Sequence, residues 1–123
     1  MTISETHGLV TIATIQFHQL VNFYQQMLAE EPVKFIANVY AEFDIHGLKL
    51  GIFQPQAQHQ GEFTHSHQST MSLCLEVRDL KQAIAHLTTL GYPPPGNIYT
   101  ASHGQEIYAY DPDGNRIILH QSS

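Results

Sequence analysis

The sequence predicts an α+β fold built from two βαβββ modules, about residues 8–55 and 70–121. The first observation is an internal repeat. Residues 44–52 (DIHGLKLGI) match residues 111–119 (DPDGNRIIL) in an Asp, a Gly, a basic residue and an aliphatic residue, at the constant offset of 67 given by 111 minus 44. Residues 14–17 and 77–80 repeat at the offset of 63 given by 77 minus 14. A duplicated unit dictates architecture, so the repeat predicts two similar halves.

The first module is predicted from its hydrophobic periods. Residues 9–14 alternate between bulky and small side chains and predict a strand, and residues 17–29 carry apolar side chains three or four apart, which predicts an amphipathic helix. Residues 33–37, 40–45 and 48–53 alternate again and predict three strands, the last two joined by a turn at His46 and Gly47. The order of elements is therefore βαβββ.

The second module repeats this order. Residues 71–77 predict a strand and residues 80–90 a helix, which Gly91 ends and the prolines at 93–95 keep from resuming. The three remaining strands are predicted at 97–100, 105–110 and 115–120, with Asp113 and Gly114 in the turn before the last. The polar residues 54–62 have no apolar period and predict a connecting loop, so the 123 residues form a single domain of two modules.

Composition narrows the range of partners. A formal net charge of −6 with only 5 Lys and Arg residues argues against a nucleic-acid partner, because neutralising phosphates requires clustered cations. The sequence has no apolar run of the roughly 18 residues that a membrane span needs. The single Cys74 cannot form an internal disulfide and lies in an apolar strand, so we expect a buried thiol and a cytoplasmic protein. The acidity suits a cationic ligand, but most acidic surfaces serve solubility.

Three motifs carry a resemblance to a known family. They are Phe23-Tyr24 late in the first helix, residues 77–80 (VRDL) at the start of the second, and residues 110–115 (YDPDGN) before the final strand. In this order and spacing they resemble the vicinal oxygen chelate superfamily, which contains glyoxalase I, bleomycin resistance proteins, extradiol dioxygenases and methylmalonyl-CoA epimerase. The resemblance implies a cup-shaped mixed sheet in each module, a ligand cavity and a homodimer. It identifies a fold and not a reaction.

The resemblance also implies where a metal would bind. In metal-dependent relatives four positions, two from each module, supply His, Glu or Gln to a divalent ion. Carried onto this sequence, those positions are Leu9, Gly51, Ser72 and Ile118. Aliphatic side chains and glycine have no donor atom, and one neutral serine hydroxyl does not offset the cost of dehydrating the ion. We therefore expect no metal cofactor at these positions.

The nine histidines leave a displaced metal site open as an alternative. His7 and His120 lie two residues from Leu9 and Ile118, so in strands they share the faces of those positions. His65 and His67 also have a spacing of two, just before the fifth strand. The simpler interpretation places His7 at a loose chain end, His65 and His67 in the polar loop, and the helix histidines, His18 and His86, on solvated faces.

Strand alternation predicts the inner faces of the two cups. They carry Leu9, Thr11, Ala13, Gly51, Phe53, Ser72, Cys74, Glu76, Arg116, Ile118 and His120. A largely apolar surface with a few polar groups is typical of a small-molecule site. Glu76 and His120 are the candidate catalytic residues, as general bases, although Glu76 and Arg116 are also suited to a structural ion pair. Tyr99, Tyr108 and Tyr110 are candidate aromatic walls.

Three functions remain open from the sequence. The first is a metal-free protein that binds a small organic molecule, similar to bleomycin resistance proteins. The second is an enzyme of the same superfamily, with a lactoylglutathione-lyase-like or dioxygenase-like activity at a displaced site. The third is a structural or interaction domain without a ligand. All three are compatible with a cytoplasmic homodimer.

Overall fold

The computed structural model describes Ile3 and residues 6–123, and the chain divides into two compact units, Met1–Phe63 and Thr64–Ser123. Each unit contains one four-stranded mixed sheet and one α-helix in the order βαβββ. The predicted α+β class and the predicted order of elements are confirmed. In the part of the chain that the structure describes, no helix combines the length and the apolar character needed to cross a bilayer.

Unit one begins with strand β1 and helix α1 and continues with three strands. The elements are β1 (Val10–Ala13), α1 (Phe17–Leu28), β2 (Lys34–Ile36), β3 (Tyr40–Ile45) and β4 (Leu48–Phe53). The sheet order is β1-β4-β3-β2, in which β1 runs parallel to β4 and the other pairs are antiparallel. The predicted turn between β3 and β4 is present, with Gly47 at a φ of +84°. The polar stretch predicted as a loop contains a 3-10 helix, Ala57–Phe63, which buries none of its residues.

Unit two has the same topology. Its elements are a 3-10 helix (Ser66–Gln68), β5 (Leu73–Glu76), α2 (Leu80–Leu90), β6 (Tyr99–Ala101), β7 (Gly104–Tyr110) and β8 (Arg116–Ser122). The sheet order is β5-β8-β7-β6, with β5 parallel to β8. Strand β5 starts two residues later than predicted, and β6 is displaced toward the turn. The ends of an element are the least predictable part of a sequence-based assignment.

One face of each sheet packs against the helix of its own unit and forms the core. In unit one, Leu50 and Ile52 of β4 are fully buried beside α1. In unit two, Ile117 and Leu119 of β8 take the same place beside α2. Burial of side chains of this size contributes about 1.5–3 kcal/mol each. The alternate residues of the same strands therefore point to the opposite face.

The VRDL and YDPDGN motifs have structural roles. The side chain of Asp79 caps α2 by accepting the Gln82 N–H at 3.0 Å. In the loop between β7 and β8, Asp111 Oδ1 accepts the backbone N–H groups of Asp113, at 2.9 Å, and Asn115, at 3.0 Å. Gly114 supplies the positive φ, +86°, that this turn needs. Both motifs therefore have a structural explanation, since one caps a helix and the other holds a turn, and neither has to be part of an active site.

Strand register confirms the internal repeat and corrects one part of it. Thr11 pairs with Gly51 in unit one, and Cys74 pairs with Ile118 in unit two, which reproduces both offsets, since 74 minus 11 is 63 and 118 minus 51 is 67. The sequence match of Asp44 to Asp111 does not correspond to equivalent positions in the two units. Asp44 lies within β3 opposite Lys49, whereas Asp111 lies in a loop that is longer than the turn in unit one. The inserted length is needed for the Asp111 turn.

Candidate functional site

Each sheet has one face that its own helix does not cover, which we call its open face. In unit one, Gly51 and Phe53 alternate with the core residues Leu50 and Ile52 of β4, and Thr11 and Ala13 lie beside them on β1. In unit two, Cys74 and Glu76 lie beside Ile118 and His120 in the same manner. The residues predicted from strand alternation therefore share the open face within each unit.

The open face of unit one is filled by its own side chains at Gly51. A Cβ atom at this position would lie 2.7 Å from Tyr40 Oη and 3.2 Å from Leu9 Cδ1. Tyr40 Oη donates a hydrogen bond of 2.7 Å to Oε1 of Glu42, which is buried with 5% exposed. Burial, followed by the hydrogen bond to Glu42 and its charge, raises the pKa of Tyr40 to about 12. The phenol therefore stays protonated and occupies the space above Gly51.

Arg116 donates hydrogen bonds to the segment that precedes β5. Its Nε donates to Ser72 Oγ at 2.6 Å, and its Nη2 donates to the carbonyl oxygens of Ser69, at 2.7 Å, and Met71, at 3.4 Å. The predicted ion pair between Arg116 and Glu76 is wrong. The parallel register of β5 and β8 places Glu76 beside His120, and at about 3.3 Å per residue Arg116 lies roughly 13 Å further along the strand.

Glu76, His120 and His103 form a hydrogen-bonded chain in unit two. His120 Nδ1 lies 2.6 Å from Glu76 Oε1, and His120 Nε2 lies 3.0 Å from His103 Nδ1. The two imidazole rings stack with centroids 5.1 Å apart. The side chain of His120 is 17% exposed and that of Glu76 57% exposed. The hydrogen bond from His120, and next that from the Ser122 N–H at 2.8 Å, lower the pKa of Glu76, so Glu76 is a carboxylate at neutral pH.

The position of His103 depends on the turn between β6 and β7. Gly104, with a φ of +143°, brings this turn so close to β8 that a Cβ there would collide with the carbonyl oxygen of Gln121. The Ser123 N–H donates to the His103 carbonyl at 3.3 Å, and Ser123 Oγ donates to the Ser102 carbonyl at 3.2 Å. Sequence reasoning found Glu76 and His120 but missed His103. The glycine after it was the one available signal.

Cys74 is exposed, and the expectation of a buried thiol is wrong. Strand β5 forms an edge of its sheet, and alternation directs Leu73 and Leu75 toward the helix side and Cys74 to the open face. Local desolvation, followed by the charges of Glu106 and Glu76, raises the pKa of the thiol. Cys74 is therefore a neutral thiol at neutral pH and a weak nucleophile.

Three tyrosines add aromatic surface to the open face of unit two. Tyr108 pairs with Ile118, Tyr110 with Arg116, and Tyr99 with Glu106. Tyr99 is 63% exposed and Tyr108 49% exposed. The charge and polarity of the open face therefore change along its strands. A cationic end at Arg116 is followed by an apolar and aromatic middle, and the far end carries carboxylates and imidazoles.

The sequence matches the family model of the Glyoxalase/Bleomycin resistance protein/Dioxygenase superfamily over residues 7–119. The chain belongs to this superfamily. No curated protein matches the sequence at a significant level. The family membership and the two βαβββ units agree with the resemblance drawn from the motifs.

Solved structures share the superfamily fold with this chain. A glyoxalase/bleomycin resistance protein from Catenulispora acidiphila superposes with a TM-score of 0.70 at 19% identity, covering 94% of this chain and 97% of the other. A glyoxalase-related enzyme from Fulvimarina pelagi gives 0.76 at 18%, covering 96% and 88%. A bleomycin-binding protein in complex with bleomycin gives 0.68 at 17%, covering 96% and 99%. At these identities the similarity establishes the fold alone.

The residues at the four positions that the resemblance assigns to a metal do not fit a divalent ion. Leu9, Gly51 and Ile118 have no donor atom, and the space at Gly51 is taken by the Tyr40 phenol. Ser72 Oγ accepts a hydrogen bond from Arg116. Within Ile3 and residues 6–123, no group of three or more His, Cys, Asp or Glu side chains is arranged to hold a metal. These four residues therefore do not supply the oxygen and nitrogen ligands that a divalent ion needs.

All the histidines except His120 lie outside the strands. His7 precedes β1 and is exposed, whereas His120 belongs to β8 of unit two. His65 precedes the 3-10 helix Ser66–Gln68 and His67 lies within it, and their ring centroids are 6.3 Å apart. Their spacing of two is therefore not a strand spacing. The histidines of the two α-helices, His18 and His86, are exposed, as the simpler interpretation had them.

Proposed function

We propose that this member of the superfamily binds a small organic ligand on the open face of unit two, without the divalent metal used by metal-dependent relatives. The observation that carries the proposal is the exposed aromatic side chain of Tyr108, which lies between the cationic end at Arg116 and the acidic end, where Tyr99 adds a second exposed ring. Apolar surface with a few polar groups at its margins is the usual composition of ligand sites. The face suits a partly aromatic molecule up to about 13 Å long with polar groups at both ends.

The charge of the face indicates how such a ligand is oriented. Arg116 at one end attracts an acceptor or anionic group, and Glu76 and Glu106 at the other end attract a donor or cationic group. The structural similarity to a bleomycin-binding protein in complex with bleomycin supports the choice of a small molecule over a macromolecule. It does not identify the ligand.

A ligand screen on metal-depleted protein tests this function. Protein treated with a chelator is melted in the presence of small aromatic zwitterions, such as tryptophan and its derivatives, and positive compounds are titrated by calorimetry. A ligand at 100 times its dissociation constant stabilises the folded protein by about 2.7 kcal/mol, which raises the melting temperature. Failure of every compound, or stabilisation that requires an added divalent ion, would contradict metal-free binding.

Variants locate the binding face. Tyr108→Ala removes exposed aromatic surface on the proposed face, and Phe35→Ala removes a similarly exposed aromatic side chain from β2 of unit one. We expect the first change to weaken binding about tenfold or more, which is typical of a central aromatic contact, and the second to leave binding unchanged. Equal effects of the two variants would argue against the proposed face.

We also infer a homodimer in a cytoplasmic location. The dimer is implied by the superfamily and is supported by the exposed apolar side chains around edge strand β2, including Phe35 at 50% exposed and Ile36 at 58%. A reducing compartment agrees with the single cysteine. Sedimentation equilibrium at micromolar concentration should give twice the 13.8 kDa chain mass, and a monomer would count against the dimer.

A further inference from the structure

We propose that His103 is a general base on the open face of unit two, with His120 and Glu76 as the residues that position it. The base would remove a proton from a neutral, weakly acidic ligand bound on that face. This inference rests on the proposed function, because it needs a ligand there, and it adds an activity that binding alone does not imply. The contacts that support it are the two hydrogen bonds of the Glu76, His120 and His103 chain.

The hydrogen bonds determine which nitrogen accepts the proton. A carboxylate only accepts hydrogen bonds, so His120 must donate from Nδ1 to Glu76. In the neutral ring, His120 Nε2 is then unprotonated and accepts from His103 Nδ1. His103 therefore carries its proton on Nδ1, which leaves the lone pair of Nε2 as the accepting atom.

Proton transfer through the chain is balanced without a cofactor. The bond between the ligand atom and its hydrogen breaks, its electron pair remains on the ligand, and a new N–H bond forms at His103 Nε2. The Nδ1 proton of His103 can then pass to His120 Nε2. The positive charge moves in this way from the exposed ring to an imidazolium whose Nδ1 lies 2.6 Å from the Glu76 carboxylate. Placing opposite charges at this distance stabilises the protonated state.

The groups around His120 favour a positive charge on its ring. One row across the sheet consists of Glu76 on β5, His120 on β8, Glu106 on β7 and Tyr99 on β6. His120 is therefore flanked by a carboxylate on each neighbouring strand. Cys74, two residues before Glu76, has a raised pKa and stays neutral, and the cation nearest along β8 is Arg116, roughly 13 Å away. The lowered pKa of Glu76 agrees with a charge-bearing partner.

The same row restricts the class of ligand. Glu76 and Glu106 repel anions, so the proton donor must be neutral, with a weakly acidic C–H, N–H or O–H bond. Tyr99 ends the row two strands from His120, about 10 Å away at the usual strand spacing, and offers a surface for an aromatic ring. A neutral aromatic compound with one acidic proton fits both requirements.

The probe for this activity is 5-nitrobenzisoxazole. A base removes its ring C–H proton, the electron pair forms the nitrile, and the N–O bond breaks to give a coloured 2-cyano-4-nitrophenolate. The rate is measured across pH for the wild-type protein, His103→Ala, His120→Ala and Glu76→Gln. His46→Ala serves as the matched control, because His46 is an exposed histidine in a turn of unit one.

We expect His103→Ala to lower kcat by about a hundredfold, the lower end of the usual contribution of a general base, with little change in KM. Glu76→Gln should also lower kcat without raising KM, since the imidazolium loses its carboxylate partner. The control should match the wild type. If saturation persists but kcat is unchanged in His103→Ala, the base is excluded while the binding face stands. If the wild type shows no saturation and no excess rate over His103→Ala, the base is excluded, and the ligand screen on metal-depleted protein decides separately whether the face binds a ligand.

A measurement without a ligand guards against an unfolded variant. Nitrogen chemical shifts of the wild-type histidines report which ring nitrogen is protonated. We expect a protonated Nδ1 and an unprotonated Nε2 in both His103 and His120 at neutral pH. A proton on Nε2 of His103 would overturn the assignment, whatever the variants do.

Discussion

The two units place opposite chemistry at equivalent positions of the same sheet. In unit one, the row across the strands consists of Ala13, Phe53, Tyr40 and Ile36. In unit two, the equivalent row consists of Glu76, His120, Glu106 and Tyr99. The backbone pairing is the same, but the row of unit one contains no carboxylate or imidazole, whereas the row of unit two contains two carboxylates and an imidazole. The two copies therefore share a fold but carry different side-chain chemistry.

The neighbouring row shows the same contrast. In unit one, Glu42 faces Gly51 and is buried under the Tyr40 phenol. In unit two, Tyr108 faces Ile118 and is 49% exposed. In this row the Tyr40 phenol fills the space above the sheet of unit one, whereas Tyr108 presents exposed aromatic surface on unit two. This difference is the reason for placing the ligand on unit two.

The hairpins that follow the helices also differ. In unit one the ladder between β2 and β3 stops at the pair Ile36 and Tyr40, near the turn. In unit two the ladder continues past the equivalent pair, Tyr99 and Glu106, to Ala101 and Gly104. The longer hairpin carries His103 to the end of β8. His103, the third residue of the hydrogen-bonded chain, therefore comes from this longer hairpin and not from the repeat.

The largest expected effect comes from Gly104→Ala. The new Cβ would collide with the Gln121 carbonyl and occupy a positive φ, so we expect a loss of about 2–3 kcal/mol in the free energy of unfolding and a loss of the His103 contact. Gly47→Ala is the matched control, since it has a positive φ but open space around its Cβ, and should cost about 1 kcal/mol. Chemical denaturation measures both. Equal costs would show that the approach of this turn to β8 is not tight.

Gly51→Ala compared with Ile118→Ala tests the two open faces. In unit one the added Cβ must displace the Tyr40 hydroxyl from Glu42, so we expect a cost of about 1–3 kcal/mol. In unit two the truncated side chain is only partly buried, and we expect a cost of about 1 kcal/mol or less. A larger cost at Ile118 would mean that the face of unit two is packed and not available to a ligand.

Tyr40→Phe removes only the hydroxyl that contacts Glu42. Because this leaves a buried carboxylate oxygen without its donor, we expect a loss of about 1–2 kcal/mol in unfolding free energy. Tyr108→Phe, at the exposed tyrosine of unit two, should be within about 0.5 kcal/mol of the wild type. The reverse order would contradict the contrast between the two units.

The smallest expected effect is a pH dependence that Glu76 contributes. Its folded pKa is lowered from the ordinary value of 4.5, so its stabilising contribution is present above that pH and is lost as pH falls through the folded value. The difference in melting temperature between the wild type and Glu76→Gln should therefore shrink as the solution is acidified below pH 4.5. A difference that is constant with pH would mean that the carboxylate charge does not matter.

Much of the fold was readable because it depends on local patterns. Apolar spacing located both helices, and glycines located the turns at Gly47, Gly91 and Gly114. Strand alternation also grouped the residues of each strand that share one face, since a period of two requires no knowledge of the neighbouring strand. The ends of short strands such as β6 were less accurate because they depend on cross-strand pairing.

The contacts of the candidate site were less predictable because they depend on register between strands. The Glu76 and Arg116 pair was expected from charge alone, but parallel pairing places Glu76 beside His120. The burial of Cys74 was expected from its apolar neighbours, although it faces away from the core. The covering of Gly51 by Tyr40 depends on side-chain direction across two strands. No sequence period reports that direction.

Chemical-shift mapping tests the central claim most directly, because it reports on both units in one experiment. The backbone amides of metal-depleted protein are followed while 5-nitrobenzisoxazole is added. We predict saturable shifts at Tyr99, Glu106 and His120, and none at the equivalent Phe53 and Ile36. Shifts confined to unit one, or absent from both rows, would contradict the assignment of ligand binding to the open face of unit two.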